Sequence, residues 1–164
     1  MEKSTNKFLK SFKYLRMIFM AVLIFTFTTV SFANDNEYRK EIVNLVNIER
    51  EKANLPPLKE DNRLNALAEK KAKIMAKENN LSHNAGGYKS FSDIVKEAGI
   101  QYWNVGENIA RNWKPPEEVM NAWLSSKGHR DNILSEKFTL IGVGKAVNEK
   151  GDIYWTQIFI RERE

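Results

Sequence analysis

The sequence predicts an α+β domain in which helices cover a small sheet, and three patterns carry that reading. Apolar residues recur at helical spacing from about residue 36 to 79, a lone β-like run sits near the middle, and two further β-rich runs flank a polar turn close to the end. Helices, a strand, a helix and a hairpin in that order fit helices packed on a sheet.

The first helix spans Asn36 to Lys52, with Tyr38, Ile42, Leu45, Val46 and Glu49 on one face. Asn54-Leu55-Pro56-Pro57 ends it. A second begins at Asp61, an N-cap residue type, and carries Leu64, Leu67, Ala68, Ala72, Met75 and Ala76 at helical spacing until Asn79-Asn80. A shorter helical stretch from Ser90 to Ala98 stops at Gly99. Asn104 to Arg111 reads as a strand whose middle is polar. Pro115-Pro116-Glu117-Glu118 opens another helix, with prolines in the first turn and acids at the positive end of the dipole, and Val119, Met120, Ala122 and Trp123 form its buried face. Asp131 to Leu134 is expected as a short helical turn. Leu140 to Asn148 and Ile153 to Ile160 are then joined through Glu149-Lys150-Gly151-Asp152 as an antiparallel hairpin.

Residues 1–33 read as a secretory signal peptide. Lys3, Lys7, Lys10, Lys13 and Arg16 precede an apolar run from Met17 to Val30, and Ser31-Phe32-Ala33 supplies the small residues of a cleavage site after Ala33. The run falls short of the roughly 20 apolar residues of a spanning helix, and Thr26, Thr28 and Thr29 dilute it. An uncleaved anchor is the alternative, and the only route by which a membrane enters the reading. The expected product is soluble and secreted, either extracellular or periplasmic.

The leader also accounts for most of the basic charge. The whole chain has 26 Lys and Arg against 21 Asp and Glu, and removing the five bases and one acid of residues 1–33 leaves 21 and 20. A balance near +1 argues against nucleic acid, which needs a concentrated basic face. Residues 34–164 are enough for one domain with a real core. With no cysteine, that core has to hold without disulfides, a lipid-modified cysteine anchor is excluded, and so is cysteine catalysis.

Chemistry-bearing side chains are few. His83 and His129 are the only histidines, in Leu81-Ser82-His83-Asn84-Ala85-Gly86-Gly87 and Ser126-Lys127-Gly128-His129-Arg130-Asp131-Asn132-Ile133-Leu134. Between them Gly106-Glu107-Asn108-Ile109-Ala110 places a carboxylate in the polar strand. Folded together, His83, His129 and Glu107 have the composition of a zinc site with an open water position. Their spacing does not show that they converge, because none is paired at helical His-x-x-x-His spacing. Plain structural roles stand beside each reading: a solvated loop histidine for His83, a loop pin for His129, and for Glu107 a buried carboxylate accepting from backbone and Asn108. Asn132 is expected as a local hydrogen-bonder and Arg130 as a partner of a surface carboxylate. Trp123 and Trp155 are expected in the core, with Trp103 and Trp113 in the core or at its rim.

Five segments in order resemble the CAP superfamily of cysteine-rich secretory, antigen 5 and pathogenesis-related 1 proteins, or SCP-like extracellular domains. These are the helix leading to Leu-Ser-His, Gly106-Glu107-Asn108-Ile109-Ala110, Trp123 to Leu134, Ile141-Gly142-Val143-Gly144, and Tyr154-Trp155-Thr156-Gln157. The resemblance covers about residues 38 to 160. It implies an α-β-α sandwich with a three-stranded antiparallel sheet between helices and a concave cleft lined by two histidines and two acids, where the histidines can hold a divalent metal such as zinc. By position these are His83, His129 and Glu107, while the second acid falls on Ser126, leaving the tetrad incomplete.

The resemblance thus implies a cleft that binds a small molecule, a lipid or a protein or envelope component, with no organic cofactor. The alternative is a metal-dependent, peptidase-like hydrolase with His83 and His129 on the ion and Glu107 as general base. Losing one acid and lacking a Gly-x-Ser-x-Gly motif weigh toward binding. A structural envelope or adhesion role shares the same sequence support.

Overall fold

The computed structural model describes residues 37–163. The expected signal peptide and its cleavage point lie outside them. Helix α1 covers 37–52. It is followed by β1 (Lys59–Glu60), α2 (Asn62–Glu78), α3 (Asp93–Glu97), β2 (Tyr102–Arg111), α4 (Pro116–Ser125), α5 (Lys127–Ile133), β3 (Leu140–Val147) and β4 (Ile153–Glu162). No helix among the described residues is long and apolar enough to cross a membrane.

Local chemistry explains most boundaries. The Asp61 carboxylate accepts from the backbone N–H of Arg63 at 2.8 Å and of Leu64 at 3.2 Å, capping α2 as expected. Asn79 ends that helix in the left-handed region at φ 50°. Helix α4 opens at Pro116 with Glu117 and Glu118 in its first turn. One helix departs from expectation: α5 begins at Lys127, ahead of the anticipated Asp131, so His129 lies inside it. Its polar sequence has no apolar stripe, and Arg50 secures its end by donating to Ile133 O at 2.9 Å and Ser135 O at 2.8 Å.

The sheet has the order β1-β3-β4-β2. Strands β2, β4 and β3 form the expected antiparallel trio, with Glu107 opposite Ile158 and Gly144 opposite Thr156. The fourth strand corrects the expected count of three: β1 adds two residues parallel to β3, pairing Lys59 with Leu140. Two residues after a Pro-Pro pair are too short to show a period in sequence.

Alternation along the strands divides the core between two faces. Ile141, Val143, Trp155, Phe159 and Ala110 pack against Tyr38, Ile42 and Val46 of α1 and against Val119, Met120 and Trp123 of α4. On the opposite face Ile158 and Ile160 meet Leu64 and Ala68 of α2 and Ile94 and Val95 of α3, while Ile109 and Tyr154 meet Met75. The result is helix, sheet, helix in three layers. Both sheet edges are closed by side chains: Val143 donates its N–H to Asn65 Oδ1 at 2.9 Å and accepts at its carbonyl from Arg39 at 3.1 Å, and Ile109 O accepts from the Trp123 indole at 3.3 Å.

Helix α2 lies on β3 at backbone contact. A Cβ on Gly142 would strike the backbone of Leu64 and Asn65, and one on Gly144 would strike Ala68 and Glu69. Gly128 of α5 faces open space instead. Gly144→Ala is therefore expected to cost about 1–3 kcal/mol or more by overpacking, and Gly128→Ala to add about 0.5–1 kcal/mol through helix preference. Urea unfolding midpoints measure both, and a Gly144→Ala variant as stable as the parent would contradict this packing.

Candidate functional site

Strand β2 is the outer strand of the sheet, and the predicted site residues gather around it. Glu107 shares the face of Val105 and Ile109, toward α2, and the loop leaving α2 brings His83 onto it. His83 Nδ1 and Glu107 Oε1 are 2.7 Å apart. The carboxylate is almost wholly enclosed, with its side chain 1% exposed, while the histidine side chain is 49% exposed. With Glu107 accepting as a carboxylate, the imidazole donates from Nδ1 and keeps Nε2 for other partners. Glu107 Oε2 is buried with no hydrogen-bond partner. The Phe91 ring stands edge-on to His83, with centroids 6.2 Å apart.

His129 reaches the same strand from the other face. Asn108, next to Glu107 and pointing the opposite way, donates to His129 O at 3.1 Å and to Gln157 Oε1 at 3.0 Å. Asn132 completes the latch by donating to Asn108 Oδ1 at 2.9 Å and to Glu107 O at 3.2 Å. Adjacent residues of one strand thus key the two histidine-bearing elements to each other. Burial, and then the repulsion between the two imidazoles when both are protonated, push the His129 imidazole below its ordinary value and favour its neutral form. Both causes are tertiary.

Three expected roles change. Asn132 is a long-range latch, Arg130 donates to Leu124 O at 2.7 Å, and Glu107 pairs with His83 while Asn108 serves the other face. Ser126 joins α4 to α5 without a side-chain cap bond. Trp123 and Trp155 are buried, whereas Trp103 and Trp113 are 63% and 41% exposed. Trp103 sits at the register shift of β2, with the Arg163 guanidinium 4.6 Å from its ring centre.

Sequence reasoning missed Lys71. It is wholly buried in α2, and its Nζ donates to His83 O at 2.6 Å and Ala85 O at 3.2 Å. A lysine inside an otherwise apolar helix face was the available signal.

The metal expectation meets a different geometry. Among the described residues, no three of His, Cys, Asp and Glu are grouped so that they could hold an ion. Glu107 is committed to His83 on one oxygen and enclosed on the other, so it is placed to hold that imidazole and not to serve as a third ligand beside the two histidines.

Residues 43–159 match the family model described as "CAP: Cysteine-rich secretory protein family". The chain belongs to the CAP family. It is 45% identical over 133 residues to the uncharacterized protein YkwD of Bacillus subtilis, covering 81% of this chain and 51% of that one. The uncharacterized membrane protein YlbC of the same organism is 34% identical over 122 residues, 74% of this chain and 34% of its own. The chain therefore spans about half of one relative and a third of the other. Among solved structures, an extracellular SCP-domain protein from Bacillus anthracis is 33% identical with a TM-score of 0.69, covering 77% of this chain and 41% of that one. An outer surface protein of Borrelia burgdorferi shares the fold, at 18% identity and a TM-score of 0.70 over 76% of this chain and 92% of its own.

Lowering of the His129 value means that the unfolded chain takes up this proton first as pH falls. The imidazole's contribution is complete above the ordinary value near 6.5 and is lost as pH drops from there toward the lowered value. NMR titration is expected to show His129 titrating below 6.5. His83→Gln should raise it only part of the way, because burial remains, and a full return would refute burial as the larger cause.

Proposed function

We propose that this CAP domain acts outside the cell as a binding module, with the His83–Glu107 pair at the edge of β2 as its point of recognition. The observation that carries the reading is the 2.7 Å bond between a half-exposed imidazole and a buried carboxylate. Burying a carboxylate is costly unless a donor meets it, so such a pair fixes the ring in one orientation and tautomer. The ring then offers Nε2 as an acceptor beside Phe91. A small molecule, lipid or envelope component presenting a hydrogen-bond donor next to apolar surface suits that combination. An extracellular setting is supported by the leader-like residues 1–33 and by the description of the Bacillus anthracis relative as extracellular.

Hydrolysis has less support. A general base needs a free oxygen within reach of a water or substrate. Glu107 has one oxygen on His83 and the other buried.

Two measurements test the reading. Cosedimentation with purified cell-envelope fragments and with lipid vesicles is expected to retain the parent on one of them and to lose most retention in His83→Ala. Equal retention, or none on either probe, would count against it. Zinc titration by calorimetry is expected to give no saturable site shared by the histidines. A stoichiometric site abolished in both His83→Ala and His129→Ala would restore the metal reading.

A further inference from the structure

Lys71 occupies a position where a lysine is not expected to survive by packing alone. Its neighbours on the inner face of α2 are Leu64, Ala68, Ala72 and Met75, and it is as fully buried as they are. An enclosed ammonium persists only where other groups replace its hydration. Two carbonyls do so here, His83 O at 2.6 Å and Ala85 O at 3.2 Å, with the Tyr88 ring centre 5.6 Å away. Burial lowers the lysine's pKa, while the charges of Glu107 and then Glu78 act to raise it. Lys71 and Glu107 are not directly bonded, so the ammonium acts on the pair through the loop carbonyls that it holds.

His83 is consequently held at two points by two different elements. Helix α2 takes its backbone through Lys71, and strand β2 takes its ring through Glu107. The loop between them is also tied by Ala85, which packs with Met75, Ala76 and Ile109, by Gly86 N to the Glu78 carboxylate at 3.1 Å, and by two bonds within itself, Ala85 N to Ser82 O at 3.2 Å and Asn84 N to Ser82 Oγ at 3.1 Å. Gly86 and Gly87 both have positive φ, 86° and 75°, so the loop's path is not one that local preference enforces. The ammonium at position 71 gives the carbonyls of this loop a fixed anchor on α2.

We propose that Lys71 is the positioning residue of the recognition pair: its buried ammonium anchors the His83 loop, so that the His83–Glu107 hydrogen bond forms only when a charged donor occupies this position. The functional importance of the pair rests on the binding reading above, whereas the contact itself is tested without any ligand, so the two can fail separately.

The absence of cysteine from the chain makes a chemical test clean. Lys71→Cys is alkylated in the unfolded state with 2-bromoethylamine, which yields a lysine isostere, or with 1-bromopropane, which yields a neutral side chain of the same length, and each product is refolded. The readouts are the ring N–H resonance of His83, assigned by its loss in His83→Gln, and hydrogen exchange at the amides of Asn84, Ala85 and Gly86. The aminoethyl form is expected to show the parental ring resonance and protection. The propyl form should lose the resonance and exchange at those amides about tenfold faster or more, while β3 and β4 stay protected. The proposal is overturned if both forms keep the ring resonance, if neither restores it, or if the propyl form loses protection throughout β3 and β4, which would make Lys71 a general stability residue.

Discussion

The arrangement depends on the backbone contact between α2 and β3. Gly142 and Gly144 remove the side chains that would hold a helix at the usual distance from a sheet, so Leu64 and Ala68 lie directly on the strand. At that separation Asn65 can reach Val143 N–H and act as the strand partner that β3 lacks beyond β1. The same placement sets Lys71 and the C-terminal end of α2 relative to β2, and therefore sets where the His83 loop emerges. Two hydrogens in place of two methyl groups decide the position of a histidine many residues away in sequence.

Without disulfides, the domain relies on buried polar side chains that tie separate elements together. Arg50 bonds to the carbonyls of Pro56, Ile133 and Ser135, joining α1 to the end of α5. Lys71 bonds to the carbonyls of His83 and Ala85, and the amides of Asn108, Asn132 and Gln157 form a continuous set behind β2. Removing either partner from such a contact leaves a desolvated group exposed to its full penalty, so these contacts specify one arrangement of loops more than they add net stability. Where the chain carries its charges inside, it uses them to place segments that apolar packing would leave free.

Membership of the CAP family fixes the fold and not the function, because one fold hosts many functions. The chemistry at β2 narrows the question. One imidazole is fixed by a buried carboxylate and half open to solvent, while burial favours the neutral form of the other. Such a rim offers acceptors and ring surfaces, which suits recognition of a donor-bearing ligand better than activation of a water.

Much of the architecture was legible in sequence because periodicity, caps and turns are local. The apolar spacing of α2, the acid at Asp61, the prolines before α4 and the polar turn between β3 and β4 each reflect interactions within a few residues. Short elements without a periodic face, β1 and the start of α5, were not legible for the same reason. His83, His129 and Glu107 could be nominated by residue type, and the chain order of motifs pointed to the family. Only the tertiary structure decided that Glu107 turns to His83 while Asn108 turns to α5, that Asn132 is a latch, and that a lysine in the middle of a helix holds the loop. Those outcomes depend on which side chains share a small, water-poor volume after the helices dock, and no local pattern encodes that.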